Sequence, residues 1–359
     1  MNVAPGVKPI IWDETYGVLK MLDQRKLPRE EVWVEGKTAE DIYNAIKEMI
    51  VRGAPLLGIV GVFGLVLAIT DLEASSSYTP EKFLEIAQKL KSARPTAVNL
   101  AKEIDRALED LPLGDAMPFE IRTLLIERAR KLLKRQQEED MAIARHGLEI
   151  FQSMDDIRIM TICNTGALAT GGIGTALGVI RAIYWAGKKM HVYPLETRPF
   201  LQGARLTAYE LKKEGIPFSL IADGASAITM KEKRVRAIIV GADRIARNGD
   251  TANKIGTFML ATVAHSMGIP FFVAAPVSTF DFDTVTGEDI PIEERAKEEV
   301  MLCGGCPITP EDIDVYNPVF DVTPHHLITG IITELGTIWH PNEEAIREFF
   351  SRHSDVDIE

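Results

Sequence analysis

At 359 residues the chain exceeds what one ordinary hydrophobic core accommodates, and its length points to two domains. Its 40 Lys and Arg against 52 Asp and Glu leave a net charge of −12, which works against general affinity for nucleic acid or an anionic membrane. A hydrophobic content of 46% excludes a mostly disordered chain, and three cysteines are too few for a disulfide framework.

No basic stretch leading into an apolar one opens the sequence, so no secretory leader is expected. Short strand-like pieces at 9–12 and 32–34 give way to helical patterns. Thr38 and Asp41 form a capping box, and Ile42, Ala45, Ile46, Met49 and Ile50 follow as one apolar helix face. The longest apolar run, residues 56–69, has fourteen residues where a membrane span needs about twenty. A cytoplasmic protein in a reducing compartment is therefore expected. Within that run Gly58, Gly61 and Gly64 are spaced to let another backbone approach. Residues 118–151 read as one long helix whose basic cluster, 128–135, forms a solvated face. Residues 1–150 thus predict a mainly helical domain with a small β element.

Beyond residue 150 apolar runs alternate with helix-length stretches. Strands are predicted at 157–162, 190–195, 218–222, 235–240 and 270–274, with helices such as 172–186 and 203–214 between them. This alternation predicts an α/β fold for residues 151–359, a Rossmann-like doubly wound parallel sheet. Residues 341–359 read as an acidic surface helix with a frayed end.

Ligands of such sheets bind beyond the carboxyl ends of the strands. The predicted strands are followed by Cys163-Asn164-Thr165-Gly166, Glu196-Thr197-Arg198-Pro199, Asp223-Gly224, Asp243-Arg244 and Pro276 with Ser278 and Thr279. Polar or reactive residues thus gather at one edge. Cys163 is either a small buried apolar side chain or a thiolate favoured by a helix start just beyond it. Asp243 is either a helix cap or ion-pair partner, or an acid kept protonated in an apolar pocket. Arg52, Arg94, Asn253 and Lys254 offer cations and amides for an anionic group such as phosphate.

Two other chemistries compete. Gly171-Gly172-Ile173-Gly174 with Gly178 and Glu196 suggests a dinucleotide fingerprint, but its spacing is wrong and Cys163 to Thr170 separate it from the strand. Glycines that let a helix pack tightly on the sheet are the better explanation. Cys303 and Cys306 form a single C-x-x-C upstream of His325 and His326. A structural zinc needs four closely spaced ligands, so two plain thiols or a labile disulfide fit better, and no metal or cofactor is expected.

Taken together, "VRGAP" (51–55), "CNTGALAT" (163–170), "ETRPFLQGARLTAYEL" (196–211), "GADRIARNGDTANKIGT" (241–257), "VAAPVSTFD" (273–281) and "NPVFDVTP" (317–324) resemble the methylthioribose-1-phosphate isomerases. Those share their fold with the regulatory subunits of eIF2B and with ribose-1,5-bisphosphate isomerases. The likeness runs from residues 22–28 to about residue 340. It implies that Cys163 and Asp243 are the catalytic pair. It also implies that Arg52, Gly53, Ala54, Arg94, Gln202, Asn253 and Lys254 contact a small sugar phosphate, and that the protein is a homodimer. Three features depart from the family: the stretch "DGASAITM" (223–230), Thr165 where Ala is commoner, and the Cys303/Cys306 pair.

The implied reaction turns an aldose 1-phosphate into a ketose 1-phosphate. With phosphate on the anomeric oxygen, ring opening needs an acid, for which Asp243 in a dry pocket is the candidate. Hydrogen then moves from C2 to C1. Cys163 serves either as base through a cis-enolate or as a thiol stabilising a direct hydride shift.

Overall fold

The computed structural model describes residues 6–94 and 98–353, which fall into two compact units. One comprises the described residues up to Glu138 together with Ala167–Gly174; the other comprises Glu139–Gly166 and the described residues from Thr175 onward.

The first unit opens with an antiparallel sheet of β1 (Ile10–Asp13), β2 (Val18–Leu22) and β3 (Trp33–Gly36), of which β2 carries no strand signal read in the sequence. Helix α1 (Ala39–Lys47) is capped as expected: Asp41 N–H donates to Thr38 Oγ1 at 3.1 Å, and Thr38 N–H donates to Asp41 Oδ2 at 2.9 Å. Ile42, Ala45 and Ile46 are buried, but the helix stops before Met49, whose φ of +59° is left-handed.

Helix α2 (Ala54–Ala74) is long and apolar enough to cross a membrane by length and composition, longer than the fourteen-residue run suggests. It is nevertheless a core helix, with 83% of its most apolar stretch buried. It packs with α3 (Pro80–Ser92) and α4 (Val98–Leu108). A Cβ on Gly58 would stand 3.2 Å from the Asn99 carbonyl, the close backbone approach expected there. Gly61 and Gly64 instead make room for the side chains of Leu100, Ile42 and Leu90.

Helix α5 (Pro118–Ile150) matches the predicted long helix. Its basic cluster is more than a solvated face. Arg128 donates to the carbonyls of Ala107 (2.8 Å) and Glu109 (2.6 Å), Arg135 pairs with Glu103 at 2.8 Å, and Arg130 pairs with Glu14. Residues of α5 up to Glu138 and the one-turn α6 (Ala167–Thr170) belong to this unit, and α5 from Glu139 onward belongs to the second.

In the second unit the strands run β4 (Asp156–Thr161), β5 (Lys189–Pro194), β6 (Ala237–Val240), β7 (Arg244–Ala246), β8 (Thr251–Lys254), β9 (Phe271–Ala274) and β10 (Phe280–Asp281). They continue with β11 (Leu302–Cys303), β12 (Cys306–Pro307), β13 (Phe320–Thr323), β14 (Gly330–Thr333) and β15 (Gly336–Trp339). The helices are α7 (Ala176–Trp185), α8 (Ala208–Lys213), α9 (Ser226–Glu232), α10 (Thr257–Ser266), α11 (Glu298–Met301) and α12 (Glu343–Ser351). Residues 354–359, the predicted frayed end, lie outside the described residues.

The main sheet has the order β15-β14-β9-β6-β4-β5, parallel throughout except for β15. This is the expected α/β parallel sheet. Its apolar runs bury both faces, in one core around Ile238, Val240 and Val273 and another around Ile159, Ile239 and Phe272. The predicted strand at 218–222 is not a full strand. It makes only isolated bridges, one to β5 at Val192–Phe218 and one just past its end at Leu195–Ile221. A second sheet, β10-β7-β8-β13, stands beyond the end of β6.

Candidate active site

From β4 the chain passes to β5 on one side, then returns to β6 on the other and continues to β9 and β14. The carboxyl ends of β4 and β6 therefore flank the point where the winding direction reverses, where open parallel sheets bind ligands. Cys163 follows β4 and Asp243 follows β6, and the two strands are adjacent and parallel, with Ile159 opposite Ala237. The loops beyond them touch: a Cβ on Gly241 would lie 2.6 Å from Thr165 Cγ2. Eighty residues apart in sequence, the predicted pair shares one sheet edge.

Cys163 is 8% exposed and has a left-handed φ of +67°. A non-glycine residue holds that conformation only where its surroundings impose it. Here its N–H donates to Thr197 Oγ1 at 2.9 Å, and its carbonyl accepts from the Thr207 hydroxyl at 2.5 Å. The backbone of Thr197 and Arg198 is fixed in turn by Asp223, which accepts from their N–H groups at 2.8 and 2.7 Å. The helix predicted at 172–186 is α7, which starts only at Ala176, and the single turn α6 that comes before it in the chain is too short to carry much of a dipole itself.

Below this loop lies a buried ionic cluster. Arg181 and Glu210 are both fully buried; Arg181 Nη2 donates to Glu210 Oε2 at 2.8 Å and to Glu214 Oε1 at 2.7 Å. Burial alone would push the guanidinium down, but the charges of Glu210 and Glu214 hold it above its ordinary value. Glu210 Oε1 accepts from Asn164 Nδ2 at 2.7 Å, so the ionic cluster is wired to the residue after Cys163.

Asp243 N–H donates to the Ala252 carbonyl at 2.9 Å, which ties it to β8. Where the sequence suggested a dry pocket, Asp243 is an exposed residue, placed where β6 has ended and the chain turns into β7. Beside it, β8 carries Asn253 and Lys254, both buried. Asn253 Nδ2 donates to Thr257 Oγ1 at 3.0 Å; Lys254 Nζ donates to the Val319 carbonyl at 2.8 Å and stands over the Phe320 ring at 4.2 Å. Asp321 lies opposite Asn253 on β13 and accepts from the N–H groups of Gly256 (2.7 Å) and Phe258 (3.1 Å). Burial pushes its carboxyl up to about 6 despite these donors and nearby Lys254.

Gln202 is 4% exposed, and its Oε1 has no hydrogen-bond partner among the described residues. A buried amide oxygen without a protein partner costs stability unless water or a ligand bonds to it. It directly precedes a wide π-type turn, Gly203–Thr207, that aims Thr207 at Cys163. In the same unit a cleft of about 310 Å³ is lined by Arg198, Pro199, Ile255, Val300, Tyr316, Asn317 and Pro318.

The first unit holds the remaining predicted residues. Arg52 is buried, Gly53 has φ +99°, and Ala54 opens α2. A Cβ on Gly53 would meet the Ala169 backbone at 2.5 Å, so only glycine fits there. Arg94 is half-buried, and residues 95–97 of its motif lie outside the described residues. Gly171 packs against Leu133, Ile59 and Leu56, so this part of the glycine run faces helices of the first unit rather than the sheet. The turn that a dinucleotide fingerprint would occupy, directly after β4, is Cys163–Gly166 instead.

Thr207, Glu210, Arg181 and Asp321 were not among the residues singled out from sequence. Arg181 does leave a trace, as the single charge in the otherwise apolar α7, and such a charge is buried only when paired; Glu210, in a helix that also carries Lys212 and Lys213, leaves none.

The sequence pattern of the initiation factor 2 subunit family matches residues 50–340. A methylthioribose-1-phosphate isomerase of Thermotoga neapolitana is 50% identical over 330 residues, spanning 92% of this chain and 95% of that protein. The crystal structure of 5-methylthioribose 1-phosphate isomerase from Pyrococcus horikoshii superposes with a TM-score of 0.87 at 42% identity, covering 96% of each chain. A structure titled translation initiation factor eIF-2B, subunit delta, from A. fulgidus gives a TM-score of 0.86 at 40% identity, covering 96% of this chain and 99% of that one. The chain belongs to the initiation factor 2 subunit family.

Proposed function

We propose that this protein is a methylthioribose-1-phosphate isomerase, converting 5-methylthioribose 1-phosphate to 5-methylthioribulose 1-phosphate in methionine salvage. One observation carries the proposal: Cys163 and Asp243 follow adjacent parallel strands at the switch point of the sheet. A binding subunit has no need of a nucleophilic thiol and a carboxylate at that edge, whereas the implied reaction needs both.

In the proposed mechanism Asp243 protonates the ring oxygen, which opens a ring whose anomeric oxygen keeps its phosphate. Because Asp243 is exposed, the substrate itself must cover the carboxyl for the proton to be delivered inward. Cys163 then governs the transfer of hydrogen from C2 to C1, as base or as stabilising thiol. Gln202, Asn253 and Lys254, together with Arg52, Gly53, Ala54 and Arg94, take the substrate-binding roles implied by the family resemblance. The unpartnered Gln202 Oε1 suits a sugar hydroxyl. A homodimer and a cytoplasmic location belong to the same proposal, and sedimentation of the purified protein reads the former.

The regulatory-subunit reading has the A. fulgidus structure in its favour. A coupled assay with methylthioribose 1-phosphate and ribose 1,5-bisphosphate separates the possibilities. Turnover of the first substrate alone supports the proposal; turnover of the second alone makes the protein its sister isomerase, and turnover of neither favours a binding role. Running the active reaction in heavy water then decides the route. Solvent deuterium at C1 marks the enolate path, and its absence marks a hydride shift.

A further inference from the structure

Cys303 and Cys306 take no part in the site described above, yet the fold sets them face to face. Strands β11 and β12 pair antiparallel with Cys303 opposite Cys306. Gly304 and Gly305 form the connection, with φ of +59° and +86°, the two left-handed residues that a tight hairpin turn requires. Ile308 N–H donates to the Met301 carbonyl at 2.9 Å. Counting back along the ladder makes Cys303 and Cys306 a hydrogen-bonded pair, whose Cα atoms stand about 5.5 Å apart. That separation falls within the range a disulfide spans. Both thiols are free and exposed, and among the described residues no cluster of three or more Cys, His, Asp or Glu forms a metal site.

The hairpin is also joined to the candidate site. Arg198 Nη2 donates to the Val300 carbonyl at 2.7 Å and Nη1 to the Leu302 carbonyl at 3.1 Å. Arg198 and Val300 line the 310 Å³ cleft. The residue before Arg198 is Thr197, which holds the Cys163 N–H.

We propose that Cys303 and Cys306 form a reversible dithiol–disulfide site whose oxidation stiffens the hairpin and, through Arg198, alters the cleft. The oxidant is a low-molecular-mass disulfide such as oxidised glutathione. One cysteine thiolate attacks it, forming a mixed disulfide and releasing one glutathione thiolate. The second cysteine thiolate then attacks the first cysteine's sulfur and expels the other glutathione. Two electrons pass from the cysteine pair to the oxidant, and the two thiol protons end on the two glutathione molecules.

The test treats the full chain with oxidised glutathione and maps thiols by mass spectrometry. Trypsin releases both cysteines, without Cys163, in peptide 298–347. The expected result is loss of two hydrogens from that peptide, reversed by dithiothreitol. Hydrogen exchange should slow about fivefold in segments 196–201 and 300–308, and not in a Cys303→Ser/Cys306→Ser double variant. Free thiols, or a stable glutathione adduct without an internal bond, would overturn the pairing. Unchanged exchange at 196–201 in the oxidised protein would overturn the link to the cleft. Resting on the isomerase reading, KM should also shift about fivefold on oxidation. An unchanged KM in an active, fully oxidised enzyme rejects the regulatory effect. Inactivity of the reduced enzyme rejects the isomerase reading instead and leaves the mass and exchange results to judge the thiol pair.

Discussion

The backbone N–H of Cys163 donates to the hydroxyl of Thr197 at 2.9 Å, joining the loops that follow β4 and β5. That bond helps to hold Cys163 in a left-handed conformation and so sets where its thiol points. Thr197→Val keeps the shape but leaves a buried N–H unpaired, at a cost of about 1–3 kcal/mol. Turnover should fall by about tenfold or more, while Thr197→Ser stays within about twofold of the wild type. Steady-state kinetics with parallel melting curves check this; equal turnover in both variants contradicts it.

Glu210 is a second lever on the same loop, since it bonds Asn164 and carries part of the charge that balances Arg181. Removing one member of a buried ion pair typically costs about 3–5 kcal/mol. Glu210→Leu should destabilise by that order, measured by urea unfolding. Arg181→Met combined with Glu210→Leu should recover part of the loss. A single variant as stable as the wild type would contradict the cost expected for breaking this buried pair.

Gly203 tests the π-type turn. A Cβ there would stand 1.6 Å from the Leu195 carbonyl, so Gly203→Ala must displace main chain. Loss of soluble, active protein is expected. Gly224→Ala meets nothing within 4 Å and should stay within about 0.5 kcal/mol of the wild type. Similar melting temperatures for the two variants would place the turn differently.

Asp321 gives a pH signature. Burial raises its carboxyl to about 6, above the unfolded value of about 3.9, so the folded state binds more protons across that interval. Stability of the wild type relative to Asp321→Asn should therefore fall as pH rises from about 4 to about 6 and then level off. Paired unfolding curves at several pH values measure this, and a difference that grows with pH contradicts it.

The sequence exposes Cys163 and Asp243 because both follow apolar runs that fit only buried parallel strands, and parallel strands end at one edge. Pairing in space is what it hides. Arg181 is visible as the single charge in the apolar α7, but Glu210 sits among the charges of α8 and nothing in their spacing shows that the two meet. Strand β8, "TANK", is buried at all four positions, so its polar letters show none of the alternation that marks a strand. Segment 218–222 has a strand's composition yet pairs only at two bridges beside β5. Solvent access is equally silent: Asp243 follows a fully buried strand by three residues and is exposed.

Turnover of methylthioribose 1-phosphate by the wild type, Cys163→Ala and Asp243→Asn, with melting temperatures recorded alongside, tests the proposed catalytic pair most directly. The expected result is an active wild type and, in each variant, a loss of about a thousandfold or more with the melting temperature nearly unchanged. Near-normal turnover in either stable variant, or an inactive wild type, would contradict it.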